Sequence, residues 1–497
     1  MNTNKINKVD NIVIVGGGTS AWITAAMLSN NLPHLNVTVV DKEVGSPVGV
    51  GEGTLLSFEK VMDRCGFHVN DWFPAIDATL KAGILFPGWG KNQSDVWHPF
   101  FFPQMPALKT SQYNVWSKNQ DFNFQTHGLS FYDISINKDM VDYEALNSYA
   151  YHIDAGKLVT FIQKELERRP RVQLIKSDVV EIFRDDQTHN ITSLKLKNGQ
   201  EITADLYVDC TGFKQLLAHK PDKVTCEGRL FCDTAIAAHV PYEDIDKELH
   251  PYVISEQVDH GWIWNIPVQT RIGSGLVFNR TQTDIEEAKD YFVNYWDNRI
   301  SKDKLKVIDW TPYYNKNAWH ENVVAIGLSA GFIEPLESTG IALIIVGAEQ
   351  LTFALEGRYY NQSNINYFNM IVENYFEDCI DFVSMHYALP EKDTPFWNWV
   401  KETWVKSDKQ KWFEEEILKT DRPLPISNTG YVFCGNNWVC WLVQMGYPIA
   451  EAYDGLNKIQ ARQQCEMWYN IEMARSSHSA PHSKYIEFLK SSLHDKI

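Results

Sequence analysis

Three groups of residues in this chain have types and spacings that could do chemistry. The first is Gly16-Gly17-Gly18-Thr19-Ser20-Ala21, a form of the G-x-G-x-x-[GA] turn. Glycines there permit a tight turn and let backbone N–H groups approach a pyrophosphate at the start of a helix, where the helix dipole favours anions. Asp41 lies 23 residues beyond Gly18, where an acid that binds ribose is expected. The pattern predicts a bound dinucleotide, FAD or NAD. The second group is Gly261-Trp262-Ile263-Trp264-Asn265-Ile266-Pro267. Side chains two apart on a strand share a face, so Trp262 and Trp264 would make one indole wall, with Pro267 ending the strand or lying at its edge. The third is a pair of charged residues in apolar settings: Lys81 in Leu80-Lys81-Ala82-Gly83-Ile84, and Glu337 just before Ser338-Thr339-Gly340. Taken by themselves, Lys81 reads as a surface lysine and the Glu337 stretch as a helix cap.

The elements around these groups are legible in outline. Asn11–Val15 is a short β-branched run, 21–28 is an alanine-rich helical stretch, and 35–40 is a second buried strand. Strand, glycine turn, helix and strand make a βαβ unit of a parallel sheet. Residues 72–142 are rich in aromatics, Pro and Asn with little periodicity, and read as an insertion over the nucleotide-binding core. Helical patterning returns at 158–169, a hairpin turns at Asn198-Gly199, and 205–212 (DLYVDCTG) is a buried strand running into a turn. Strands follow at 239–241, 261–267, 273–278 and 323–327, then a helix at 341–353, and beyond about Tyr360 the chain looks mainly helical. No Gly/Ser linker or repeat divides it. The expected organisation is a core over 1–360 that includes the insertion, with a mainly helical, substrate-covering region over 361–497.

Composition narrows the class. With 46 Lys and Arg against 63 Asp and Glu, the net charge of −17 repels nucleic acid and anionic membranes. Seventeen Trp and an aromatic share of 13% suit a pocket for flat ligands, although a Trp-rich core explains them equally well. The eight Cys are scattered without C-x-x-C or zinc spacing, so no metal is expected and a reducing compartment is implied. The polar N-terminus and the short apolar run 341–348 predict a soluble, cytoplasmic protein. Only one dinucleotide fingerprint is present, which points to reduced flavin arriving from a separate NAD(P)H-dependent flavin reductase.

The W-x-W-x-I-P strand and the glycine turn together resemble the flavin-dependent halogenases of the tryptophan-halogenase family. Gly16 to Trp22 is similar to the family's G-x-G-x-x-G-W, with Ala21 in place of the third glycine. Residues 48–54 (VGVGEGT), 209–213 (DCTGF), 331–341 (GFIEPLESTGI) and 393–397 (DTPFW) extend the resemblance over most of the chain.

The resemblance implies an α/β fold with an FAD-binding, Rossmann-like core of the flavin monooxygenase type. FAD, working as FADH2, would be held by Gly16, Gly18, Thr19, Ser20, Ala21 and Asp41, with Gly327, Leu328 and Ile341 along it. Halide (chloride, bromide or iodide) would bind at Thr339 and Gly340, and hypohalous acid would form from it and a flavin hydroperoxide. Lys81 and Glu337 would be catalytic: the ammonium hydrogen-bonds hypohalous acid and makes the halogen more electrophilic, or reacts with it to give a haloamine, and the carboxylate stabilises the cationic ring intermediate and accepts its proton. Trp262 and Trp264 would separate flavin from substrate. His98 and Phe100, in Trp97-His98-Pro99-Phe100, resemble the family's stacking pair for a flat ring, with Phe433 as a third member or Trp438 in its place.

One stretch departs from the family. Asp421-Arg422-Pro423 replaces the paired tyrosines that grip an amino acid's head group, so an indole or phenol is expected as substrate rather than free tryptophan. An FAD-dependent aromatic hydroxylase and an inactive flavin-binding protein are the competing readings. Oligomeric state stays open, and a homo-oligomer is compatible with the sequence.

Overall fold

A computed structural model describes residues 6–42, 51–100, 149–417, 431–433, 435–446 and 482–494. The Asp421-Arg422-Pro423 departure and residues 101–142 of the expected insertion lie outside the described residues. The chain forms two compact units, each assembled from three separated segments: 1–78, 153–226 and 310–377 in the first; 79–152, 227–309 and 378–497 in the second.

The first unit is built on a six-stranded sheet, in the order Trp319–His320, Val323–Ala325, Leu206–Asp209, Asn11–Val15, Asn36–Asp41 and Val172–Lys176. All neighbours pair in parallel except the first two. Parallel strands covered on both faces need continuous apolar runs, and Ile12, Val13, Ile14, Val37, Val39 and Val208 are all buried. The Thr19–Asn31 helix connects two of these strands and packs against the Gly340–Ala354 helix. The sequence reading of a parallel, Rossmann-like core is seen here directly.

The second unit is built on a seven-stranded sheet, ordered Lys306–Asp309, Thr234–Val240, Arg271–Phe278, Gly261–Val268, Val253–Val258, Gly83–Phe86 and Val96–Pro99. Its pairs are antiparallel apart from Val253–Val258 with Gly83–Phe86. Ile263, Leu276 and Phe278 pack with Phe292 and Trp296 of and beside the Ile285–Tyr295 helix. Residues 79–99 show little periodicity in the sequence, yet they contribute three short strands. Runs of three or four residues are too brief to display alternation, and Thr79–Lys81 is buried along its length. Beyond Tyr360 the described chain is helical, in Gln362–His386, Pro395–Thr403, Asp408–Ile417, Gly435–Gln444 and His482–His494.

Pro267 refines its expectation. The Gly261–Val268 strand is interior in the sheet order and continues past the proline. Its partner on one side stops at the Ile254↔Asn265 pair, while Pro267 still faces Ile272 on the other. The proline thus sits at a local edge, where a missing N–H breaks no ladder.

Candidate active site

In the first unit the predicted cofactor residues gather at the carboxyl ends of the parallel strands. Open α/β sheets bind ligands there, at the point where strand order reverses. Asn11–Val15 lies between Asn36–Asp41 and Leu206–Asp209, so the glycine turn leaves the sheet at such a point. Gly16 has a φ of +137°, and a Cβ there would stand 2.2 Å from the Cys210 carbonyl oxygen. A Cβ on Gly17 would stand 1.7 Å from Asp41 Oδ1, whereas one on Gly18 meets nothing within 4 Å. The turn is therefore packed hard on its inner side and open at Gly18, as a phosphate cradle needs. Asp41 ends its strand and pairs with Lys176.

Gly327 and Leu328 follow the Val323–Ala325 strand. A Cβ on Gly327 (φ +69°) would meet Ser20 Cβ at 2.7 Å, so the two halves of the predicted cofactor set touch. Leu328 is 38% exposed, high for a large apolar side chain and consistent with a surface that a ligand covers. The DCTGF motif locks this region. The buried Asp209 carboxylate accepts from Thr211 N–H (2.9 Å), Thr211 Oγ1 (2.7 Å), Leu217 N–H (2.7 Å) and Ser329 Oγ (2.9 Å).

Glu337 is 1% exposed, next to Ser338, which takes a φ of +57°. The turn delivers the chain into the Gly340–Ala354 helix. Thr339 precedes that helix without capping it by its side chain, and its buried Oγ1 has no hydrogen-bond partner. A buried hydroxyl left without a partner costs about 1–3 kcal/mol. An anion at this dipole end would satisfy it, and a Cβ on Gly340 would meet nothing within 4 Å, so there is room. Ile341 is buried at the first turn. The sequence reading passed over Glu52, in the VGVGEGT signature. Burial pushes its carboxyl up to about 7.

The second unit holds the remaining candidates. Lys81 is fully buried, against the bland reading of a surface lysine. It ends the Thr79–Lys81 strand, and its ammonium lies 4.9 Å from the centre of the Phe100 ring. Thr79 pairs with His152 and Lys81 with Ala150, so Thr79, Lys81 and His152 share one face. Thr79 Oγ1 donates to the Pro267 carbonyl at 2.7 Å, which leaves it to accept from His152 Nδ1–H at 2.9 Å. The buried His152 Nε2 then carries a lone pair with no hydrogen-bond partner. Burial first, then the Lys81 ammonium, hold this imidazole well below the ordinary histidine range. His482 supports the strand from behind. It accepts from Leu80 N–H at 3.3 Å through Nε2 and donates to the Leu249 carbonyl at 3.0 Å through Nδ1. Burial lowers its pKa to about 4.

Trp262 and Trp264 are buried, with ring centres 6.1 Å apart and planes tilted by 57°. They share the face opposite Ile263, which joins the core against the Ile285–Tyr295 helix. Gly275 stands across from Trp264, and a Cβ there would be 2.1 Å from the indole. The glycine makes the room that the indole fills.

His98 and Phe433 come together, 6.1 Å between ring centres, with His98 Nε2 2.8 Å from Asn437 Nδ2. Phe382, missed from the sequence, stacks on Phe433 at 4.0 Å and lies 5.4 Å from His98. Trp438, the alternative third member, stacks on Phe413 at 4.7 Å and meets Phe382 edge-on at 5.5 Å. No short motif marks Phe382, because it lies within the long Gln362–His386 helix and reads as core.

A parallel sheet with a glycine turn at its switch point defines a dinucleotide-binding α/β protein. Comparison with known sequences and folds makes this specific. The chain belongs to the tryptophan halogenase family, whose profile matches residues 11–461, and it is a flavin-dependent halogenase. It is 29% identical to the tryptophan 6-halogenase ThaL of Streptomyces albogriseolus over 459 residues, 86% of each chain. It is 30% identical over 423 residues to the tryptophan 7-halogenase KtzQ of Kutzneria sp., covering 80% of this chain and 79% of that one. Its fold is similar to Xcc4156, a flavin-dependent halogenase from Xanthomonas campestris, with a TM-score of 0.86 at 26% identity and coverage of 97% and 98%. The hydroxylase reading is accordingly set aside. Among the described residues, no helix is long and apolar enough to cross a membrane.

Proposed function

We propose that this enzyme installs a halogen on an electron-rich aromatic ring of the indole or phenol type, with Lys81 activating the halogen donor and Glu337 serving the ring. The observation that carries the reading is Lys81, an ammonium with no solvent exposure beneath an aromatic ring. Burying such a charge costs several kcal/mol, and chains keep it where it does chemistry.

FAD would be held by Gly16, Gly18, Thr19, Ser20, Ala21, Asp41, Gly327, Leu328 and Ile341; reduced by a separate reductase and then reacted with molecular oxygen, it would supply the oxidising equivalent that turns halide into hypohalous acid. The Gly18 opening and the exposed Leu328 fit such a cofactor. Halide binds at the start of the Gly340–Ala354 helix, where the Thr339 hydroxyl and the backbone N–H groups donate to it. Lys81 Nζ–H donates to the oxygen of hypohalous acid and makes the halogen more electrophilic, and the neutral His152 leaves that ammonium as the local cation. Trp262 and Trp264 keep flavin chemistry and ring chemistry apart. His98, Phe100 and Phe433 hold the ring by stacking. The Glu337 carboxylate stabilises the cationic ring and takes its proton.

The test is turnover by purified protein with FAD, NADH and a generic flavin reductase, on tryptophan, indoles and phenols. Chloride, bromide and iodide are supplied separately and products read by mass. Halide-dependent mass gains on head-group-free indoles or phenols support the reading. Gains on tryptophan alone would move the substrate to the amino acid, and oxygen-only gains would overturn halogenation.

A further inference from the structure

We propose that the first unit carries a zinc-class metal site, formed by His219, His320 and Glu321, which is separate from the halogenation machinery and clips two chain segments together. A ligating atom from each of the three residues lies within 4.8 Å of the others. His219 Nδ1, His320 Nδ1 and Glu321 Oε2 are all buried atoms with no hydrogen-bond partner. Three orphaned polar atoms converging on one point are costly unless something satisfies them together. Two imidazoles and one carboxylate are the donor set that zinc takes when it keeps a fourth position for water or another ligand.

A further histidine lies beside the cluster, outside the three residues whose ligating atoms are within 4.8 Å of one another. The His189 ring centre lies 4.5 Å from that of His219, which in turn is 6.4 Å from that of His320. His320 Nδ1 and Glu321 Oε1 are already 3.7 Å apart. Tetrahedral zinc with bonds of about 2.0–2.1 Å holds its donors roughly 3.4 Å apart, so side-chain shifts of about 1 Å complete the site.

The surroundings fix the donors in advance. Asn322 clamps the Glu321 turn to Ile191, donating to its carbonyl at 2.9 Å and accepting from its N–H at 2.8 Å. Arg184 donates to the His189 carbonyl at 2.9 Å and to the Leu217 carbonyl at 2.6 Å, tying the other two segments. Its positive charge opposes a dication, so binding in the micromolar range rather than tighter is the expectation. Glu321 itself holds a φ of +58°, which turns its carboxylate out of the strand line.

His320 and Glu321 precede the Val323–Ala325 strand and Gly327 follows it, so the cluster stands at the opposite end of that strand from the cofactor residues. The donors come from positions 219 and 320–321, a separation that no local spacing rule detects. The sequence-based expectation of no metal rested on such rules.

The experiment uses the full-length protein, stripped with chelator and dialysed, titrated with zinc chloride by calorimetry and by thermal melting. The expected result is one equivalent bound in the micromolar range and a melting temperature raised by about 2–4 °C at saturating metal. His219→Ala and Glu321→Gln are each expected to weaken that equivalent by at least about tenfold. Their melting temperatures without metal should stay near that of the parent, which separates ligand loss from misfolding. Absence of a specific equivalent up to millimolar zinc would overturn the proposal. So would an equivalent of unchanged affinity in both variants, which would place the metal elsewhere among the chain's other histidines and thiols.

Discussion

The two units build their candidate groups by opposite means. The first presents backbone: a glycine turn and a second glycine against Ser20, both at the ends of parallel strands, and an uncapped helix start. The second presents buried bulky or charged side chains: Lys81, His152, Trp262, Trp264, His98 and Phe433. A backbone cradle has to be contiguous, because neighbouring N–H groups converge on one anion, so it is written as a motif. A side-chain site is drawn from distant positions and held by packing, so its members look ordinary one at a time. Backbone recognition suits a constant cofactor, while side chains suit the ring that varies between relatives.

That contrast can be broken most severely at Lys81. Lys81→Ala is expected to lower halogenation by about 10²–10³-fold while flavin affinity stays unchanged, measured by turnover and by flavin titration. Loss of flavin binding in this variant would mean that the two sets of residues are not independent.

Acid titration should separate the units next. His482 titrates near 4 when folded against an ordinary 6.5, so the unfolded chain binds more protons between those values. Stability is then lost as pH falls from about 6.5 to 4, by roughly 3 kcal/mol in all, and His482→Gln should flatten that slope in urea melts. Glu52 runs the other way. Its folded pKa of about 7 lies above the ordinary 4.5, so its contribution favours the folded state at low pH and fades as pH rises towards 7. Glu52→Gln should remove that opposite slope. Equal slopes in both variants would erase the contrast.

Gly17→Ala drives a methyl into the Asp41 carboxylate and should weaken flavin binding by about 2 kcal/mol, roughly thirtyfold. Retained affinity would show that Asp41 moves freely. The smallest effect belongs to Gly275→Ala, which crowds the Trp264 indole and should cost about 1–2 kcal/mol of stability, with a shifted tryptophan emission. An unshifted spectrum would argue that the indole wall is loose rather than packed.

What the sequence disclosed follows the same division. The glycine turn, the strand into DCTGF and the helix after Ser338-Thr339-Gly340 could be placed because short-range geometry dictates them. The DCTGF acid could be noticed but not understood, since its partner Ser329 is 120 residues away. The burial of Lys81 follows from strand pairing with Ala150 and His152, which three residues of sequence cannot announce. Phe382 and His482 were invisible for the same reason: each sits on a helix whose pattern reads as packing. Pro267 was half legible, because its edge exists only where a neighbouring strand happens to stop.

The order of the first unit's sheet has a consequence for how the chain comes into being. The Asn11–Val15 strand is flanked by Asn36–Asp41, made almost at once, and by Leu206–Asp209, which arrives about 190 residues later. The Val323–Ala325 strand, which brings Gly327 against Ser20, comes more than 100 residues later still. At ribosomal rates of about 5–20 residues per second, the glycine turn waits roughly 15–60 s before its far wall exists. Through that interval the apolar edge of the Asn11–Val15 strand must be kept from other chains, so the nascent protein is expected to depend on chaperones until the Val323–Ala325 strand has been made.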